Sequence, residues 1–360
     1  MAWLVGDGFD FYASAADALT NQTVWQSVTF CATNPGGRFG IGGYLILGNT
    51  SLTNGNVFTI QFANSSTIFV NFNLRSNSAH VNGGTTQVVG FTLRDGTGNI
   101  QCGLFLRNGG DFVLTSGGIG GTVLATSPVL SSSASVWMHC QVKIVIHNTA
   151  GTIELRHTNA AGTASTPWTA TALNTRNGTA NFYANVVHFT ATFTGAAANE
   201  GLLDDFYAFN DQGAQPNNWQ GDVYAVQQMP VSDVGSTTWD RNSGTNNCLA
   251  VDDPQEDGDA TYVATDVVNN TDTYALGLLA STPASIIAVG FKFISRMDAA
   301  GPHKVRASLI SGPTTVSQPD YNTIATYAYQ QTLYTTDPNT SAPWSADAVN
   351  ALKTSLKLIL

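Results

Sequence analysis

The side chains able to do acid–base, nucleophilic or metal chemistry are few, and their spacing is unhelpful to all three. The six histidines are His80, His139, His147, His157, His188 and His303. None forms the i, i+4 pair that holds zinc on a helix. His139 and His147 flank one expected strand at its opposite ends, so both are read as structural. The acidic run Asp252-Asp253-Pro254-Gln255-Glu256-Asp257-Gly258-Asp259 places Asp257 and Gly258 at EF-hand offsets when counted from Asp253. Gln255 stands where a carboxylate belongs, however, and Ala264 replaces the bidentate glutamate. A solvated turn is the expectation, with a loop cation site of another kind as the alternative. Asp204-Asp205 has the same two readings: a cation loop, or a hydrogen-bonded structural pair.

Catalysis lacks its parts as well. Hydrolysis of a glycoside needs two carboxylates across the bond, and the glutamates Glu154, Glu200 and Glu256 lie far apart. No G-x-S-x-G elbow, P-loop or G-x-G-x-x-G occurs between a strand and a helix. Cys31, Cys102, Cys140 and Cys248 form no C-x-x-C pair and are expected as buried free thiols, with later cross-linking the alternative. Trp3, Trp25, Trp137, Trp168, Trp219, Trp239 and Trp344 are scattered and build no stacking platform. The expectation is a protein with no catalytic, cofactor or metal residues.

The elements that would position these groups are strands. Charged residues make up 11% of the 360, under half of the roughly 25% usual in globular chains. Thr, Asn, Ser and Gln carry the polarity, a mixture of strand and turn formers. The net charge of −10 disfavours nucleic acid and anionic membrane surfaces. No stretch approaches the length of an apolar membrane span. The opening residues have neither the basic nor the apolar region of a signal peptide.

Phe58, Ile60 and Phe62, then Ile68, Val70, Phe72 and Leu74 after Asn64-Ser65-Ser66, alternate with polar residues. The period of two predicts strands with one buried face and one wet face. Val142, Ile144 and Ile146 with Ile153 and Leu155 repeat it around the hairpin loop Asn148-Thr149-Ala150-Gly151. Val187, Phe189, Ala191 and Phe193 form a further strand, and Phe206, Tyr207 and Phe209 another. Residues 221–226 read as a closing strand. Composition shifts at Met229-Pro230, which divides the chain into domains 1–228 and 229–360. Strands are expected in the second domain at 260–263, 273–278, 286–294, 305–310, 324–329 and 356–360. A helix over 346–354 is capped by Ser345, with Trp344 stapled onto Val349. The fold class is all-β: two β-sandwich (jelly-roll) domains with one short helix near the C-terminus.

Ser135-Val136-Trp137-Met138-His139-Cys140-Gln141-Val142-Lys143-Ile144 followed by Gly151-Thr152-Ile153-Glu154-Leu155 resembles a laminin-G or concanavalin A-like lectin sandwich. Gly201-Leu202-Leu203-Asp204-Asp205-Phe206-Tyr207 is similar to a late strand of such domains. In that family the first and last strands are neighbours, which implies Gly8-Phe9-Asp10-Phe11-Tyr12 beside 204–210 or 223–226. The E-x-D-x-x-E strand of glucanases on this fold is absent, and no loop matches the family's sugar or calcium ligands.

The opening Gly6-Asp7-Gly8-Phe9-Asp10-Phe11-Tyr12, the stretch Leu203-Asp204-Asp205-Phe206-Tyr207, and the pieces Val251-Asp252-Asp253 and Trp344-Ser345-Ala346-Asp347 also resemble structural proteins of tailed-bacteriophage virions. That resemblance implies a non-enzymatic tail, fibre or capsid-decoration subunit, made in the host cytoplasm and located in the virion. Its partners would be other virion proteins, further copies of itself (a trimer favoured) and a host-surface glycan. A lectin-like carbohydrate-binding module is the alternative, and a polysaccharide-cleaving enzyme the third reading. Adhesion requires an exposed aromatic beside loop carboxylates or amides at one end of a sandwich; assembly requires broad interfaces instead.

Overall fold

The computed structural model describes residues 4–9, 25–28, 31–35, 38, 43–47, 55–76, 84–130, 136–158, 163–191, 201–213, 216–235, 237–298 and 303–360. They fall into two compact units, one ending at Ala225 and the other formed by Val226–Leu360.

The strands of unit one are β1 (Leu4–Asp7), β2 (Trp25–Val28), β3 (Cys31–Pro35), β4 (Gly43–Leu47), β5 (Gly55–Ser65), β6 (Thr67–Ser76), β7 (Gln87–Arg94), β8 (Ile100–Arg107), β9 (Asp111–Ser116), β10 (Thr122–Val129), β11 (Trp137–Val145), β12 (Gly151–Thr158), β13 (Trp168–Leu173), β14 (Ala184–Ala191) and β15 (Gly201–Asn210). They form two antiparallel sheets. The first runs β13-β12-β11-β6-β15-β4-β3, with β1 also on β15, and the second runs β10-β9-β8-β7-β14-β5-β2. Between the sheets, Phe72 meets Phe91 at 6.0 Å and Phe189 at 5.5 Å, and Phe189 meets Phe206 at 5.4 Å, all edge to face. Such pairs add to the burial of apolar area that drives the layers together.

Ile68, Val70, Phe72 and Leu74 are buried, as their alternation requires. The intervening residues are not wet, which corrects the expectation of one solvated face. Phe69, Asn71 and Asn73 are also almost fully buried. The reason is the segment 216–225, which lies over that outer face with Trp219 and Val223 packed on Phe69, Tyr207 and Phe209. The same segment corrects the expected closing strand at 221–226, because no strand lies between Asn210 and Pro230 among the described residues. Its backbone bonds go to side chains of the sheet rather than to a ladder. The place beside β15 belongs to β1, where Gly6 pairs with Tyr207. Gly8 and Phe9 follow directly; Asp10, Phe11 and Tyr12 lie outside the described residues.

Unit two contains β16 (Pro230–Asp233), β17 (Asp240–Arg241), β18 (Val263–Ala264), β19 (Thr271–Leu276), β20 (Val289–Ser295), β21 (Lys304–Ser311), β22 (Thr314–Ser317), β23 (Tyr321–Asn322), β24 (Ala328–Tyr334), α1 (Ala346–Asn350) and β25 (Lys353–Ile359). A sheet β16-β19-β25-β21-β22, with β23 on β21, is layered against the two-stranded sheet β20-β24. Phe293 of β20 packs with Val305 and Ala307 of the larger sheet. Ser345 caps α1 by accepting from Ala348 N, and Trp344, Val349, Leu352 and Leu309 share one cluster, the stapled arrangement expected.

The helix stops at Asn350 rather than 354 because Lys353 and Thr354 join β25 and pair with both β19 and β21. The strand expected at 260–263 shrinks to the two residues of β18. The one expected at 324–329 begins only at Ala328, since Thr323 bonds to the His303 carbonyl and the Tyr327 hydroxyl to that of Gly258.

Candidate functional site

The Asp204-Asp205 pair sits at a bulge in β15, where the register to β6 slips between Asp204 and Tyr207. Asp205 takes a φ of +47° there. Both carboxylates are buried and held by protein donors. Asp204 Oδ2 accepts from Arg38 N at 2.7 Å and Oδ1 from Asp205 N at 2.8 Å. Asp205 Oδ2 accepts from Asn73 Nδ2 at 3.2 Å and Oδ1 from Ala225 N at 2.9 Å. Burial pushes Asp204 up to about 6, against the two backbone bonds and Arg38, with Asp7 adding to the rise.

The strap above this bulge is fixed at Gly221. Its N–H donates to Gln141 Oε1 at 3.0 Å, and its carbonyl accepts from the Tyr207 hydroxyl at 3.0 Å with His139 Nε2 also 3.0 Å away. Asp222 forms a two-pronged ion pair with Arg38 and lies 3.3 Å from His139 Nδ1. Burial lowers the pKa of His139; Asp222 opposes the shift and Arg38 assists it. Trp219 meets Phe69 edge to face at 5.2 Å, and the Arg156 guanidinium covers its ring at 4.1 Å. This tryptophan fastens the strap.

A different arrangement occupies one end of the sandwich. Four connections meet there: 95–99, 117–121, 146–150 and 174–183. Asn177 joins β8 and β9, donating from Nδ2 to Ile100 O at 3.0 Å and accepting from Ser116 Oγ at 2.8 Å. Asn177 and Gly178 have φ values of +48° and +69°, the left-handed turn that this dipeptide tolerates. Thr175, fully buried, accepts from His147 N at 2.9 Å and donates to Val145 O at 2.8 Å. Gly151 leaves room for it, because a Cβ there would lie 2.3 Å from Thr175 Oγ1.

Asp95 anchors the other side. Its two oxygens accept six hydrogen bonds: from Thr97 N and Oγ1, Asn99 N and Nδ2, Gln101 Nε2 and Asn181 Nδ2. Burial alone would raise this carboxyl, but the bonds from Thr97, Asn181 and Asn99 hold it down to about 2.

On this frame Phe182 stands 46% exposed. The Arg176 guanidinium lies 4.1 Å from its ring centre, and the His147 ring 5.7 Å away. His147 Nδ1 accepts from Thr149 N and Ala150 N, so the neutral ring carries its proton on Nε2. Nearby, Asn185 is 7% exposed and its Oδ1 has no partner. An exposed aromatic ring beside a guanidinium and a fixed imidazole donor can bind a polar ligand that also has an apolar face.

Other residues singled out in the sequence are held within the protein. In the 252–259 loop, Thr261 Oγ1 bonds to Asp253 and Asp257, Gly258 N to Glu256, and Arg296 to Asp259. Glu154 pairs with Arg156, and Glu200 lies outside the described residues. His157 bonds to Ser165 and His188 to Thr59; His80 lies outside the described residues. Trp239 and Trp344 donate to backbone carbonyls, as buried indoles do. Cys102, Cys140 and Cys248 are buried and free. Among the described residues, no three His, Cys, Asp or Glu side chains converge as a metal site. The sequence reading missed Phe182, Arg176 and Asn177; the signal available was Asn177-Gly178 beside an aromatic between two strands.

No family model and no curated protein matches this chain. Among solved structures, a peanut lectin with a 9-mer peptide is similar at 11% identity and a TM-score of 0.33, covering 57% of this chain and 97% of that one. Lectin UEA-II complexed with galactose is similar at 9% identity and TM-score 0.36, with coverage of 58% and 98%. A bifunctional GH43-CE protein of Bacteroides eggerthii is similar at 10% identity and TM-score 0.32, with coverage of 47% and 22%. Likenesses of this size transfer no residue role, and none of the three is described as a virion component.

Proposed function

We propose that this chain is a non-enzymatic carbohydrate-binding module whose ligand sits on the loop end of unit one. The observation that supports it is Phe182, an aromatic ring left 46% exposed on a loop frame in which Thr175 and Asp95 are each tied by several hydrogen bonds. A sugar offers the matching surface: C–H groups for the ring and hydroxyls for His147 Nε2 and the surrounding asparagines. The test is a glycan array followed by calorimetric titration of the best ligand. Binding is expected to weaken by about tenfold or more in Phe182→Ala, equivalent to about 1.4 kcal/mol, with an unchanged melting temperature. Equal binding by wild type and variant moves the site elsewhere, and no binding to any glycan at millimolar concentration ends the reading.

A place in a tailed-phage virion, as a tail, fibre or head-decoration subunit, rests on the sequence resemblance alone. Assembly with further copies has one supporting observation in unit one, the strand β10, which exposes Val123 and Val129 and ends its sheet among the described residues. Light scattering over a concentration series separates a stable oligomer from a monomer.

A further inference from the structure

We propose that the saccharide bound at this loop end is acidic, with its carboxylate or sulfate group engaging Arg176. The inference rests on the glycan-binding reading of the same site. Arg38, Arg107, Arg156, Arg296 and Arg306 each pair with a carboxylate. Arg176, like Arg75, Arg94 and Arg241, does not among the described residues, and it lies over the exposed ring of Phe182. Its Nε is shut off from solvent and has no hydrogen-bond partner. The half-buried guanidinium lies over the Phe182 ring, and among the described residues no hydrogen bond or ion pair takes up its terminal nitrogens.

Stacking on Phe182 fixes the guanidinium plane, which lowers the entropy lost when an oxyanion binds to it. The neighbouring groups agree in sign. The four connections at this end contain a single acidic residue, Asp95, and six protein donors occupy its oxygens. His147 adds a second donor of fixed direction, since its Nδ1 is taken by two backbone N–H groups. Preorganised donors with no acceptor of their own select a ligand that brings one, and a cation among them selects an anion.

The experiment is calorimetric titration of the full chain with three oligosaccharides of equal length: one neutral, one containing uronic acid, one sulfated. At least one acidic ligand is expected to bind about tenfold tighter than the neutral one, with affinity falling as salt rises. Arg176→Gln should bring the acidic ligand down to the neutral level, and Arg176→Lys should retain part of the preference. Melting curves of both variants check folding, and Phe182→Ala reports on the site independently. A preference for the uronate or for the sulfate identifies the source of the anion. Neutral and acidic ligands binding equally would overturn this inference and leave the glycan reading intact. An acidic preference that survives Arg176→Gln in a folded variant would also overturn it, and an absence of all binding would remove both.

Discussion

Two polar clusters of unit one use the same residue types to opposite ends. Beneath the strap, Asn73, Gln141, His139, Tyr207, Asp205 and Arg38 spend their hydrogen bonds on Gly221, Asp222, Ala225 and one another. At the loop end, Asp95 and Thr175 are equally saturated, but Arg176, His147 Nε2 and the ring of Phe182 are held in place without being consumed. The first cluster closes a sheet face; the second leaves a rigid, open one. Burial of a polar group therefore does not mark a site in this protein. What distinguishes the loop end is donors that are fixed in direction and lack an acceptor.

The comparison can be broken most sharply at Asp95. Asp95→Ala removes a buried carboxylate that accepts six hydrogen bonds and is expected to cost about 3 kcal/mol of unit-one stability in denaturant unfolding, with glycan binding lost as well. If binding survives, Asp95 does not build the site. Asp222→Ala is the counterpart for the strap. It removes the ion pair with Arg38 and the contact with His139 and should cost about 2 kcal/mol, reduced from the value for a fully buried pair because Asp222 is partly exposed. Glycan affinity should be unchanged, and a parallel loss would show that the two clusters are coupled.

A smaller effect comes from pH. Burial raises the folded pKa of Asp204 to about 6, above the ordinary aspartate value of 3.8. Its contribution is thus fully favourable below about 4 and is lost as pH rises through about 6. Unit one should gain about 1 kcal/mol between pH 7 and pH 5 from this group, and Asp204→Asn should remove that gain. Asp95 has the opposite sign. Its pKa is held at about 2, so its contribution is present above about 4 and is lost as pH falls through about 2. Thermal melts at pH 7, 5 and 3 separate the two. His139, His157 and His188 have lowered pKa values and pull unit-one stability down as pH falls from 7 to 5. Asp204 is therefore read from the difference between wild type and Asp204→Asn, and a difference that does not grow from pH 7 to pH 5 would contradict its account.

The sequence by itself determined the strands and their inward faces. Ile68, Val70, Phe72 and Leu74 had to share one face because the side chains of a strand alternate, and all four are buried. Ser345 with Trp344 and Val349 determined the helix α1 for a similarly local reason. The fate of the opposite face was not legible. Phe69 and Asn73 look solvent-facing until the strap from 216–225 covers them, and a backbone that bonds to side chains leaves no periodic trace. The loop end was illegible for a further reason. Asp95, His147, Arg176 and Phe182 belong to turns far apart in the chain, and hairpin geometry says which residues turn but not which turns meet. Only the antiparallel pairing of the two sheets brings these turns to one end of the sandwich, where Asn177 and Asn181 tie them together.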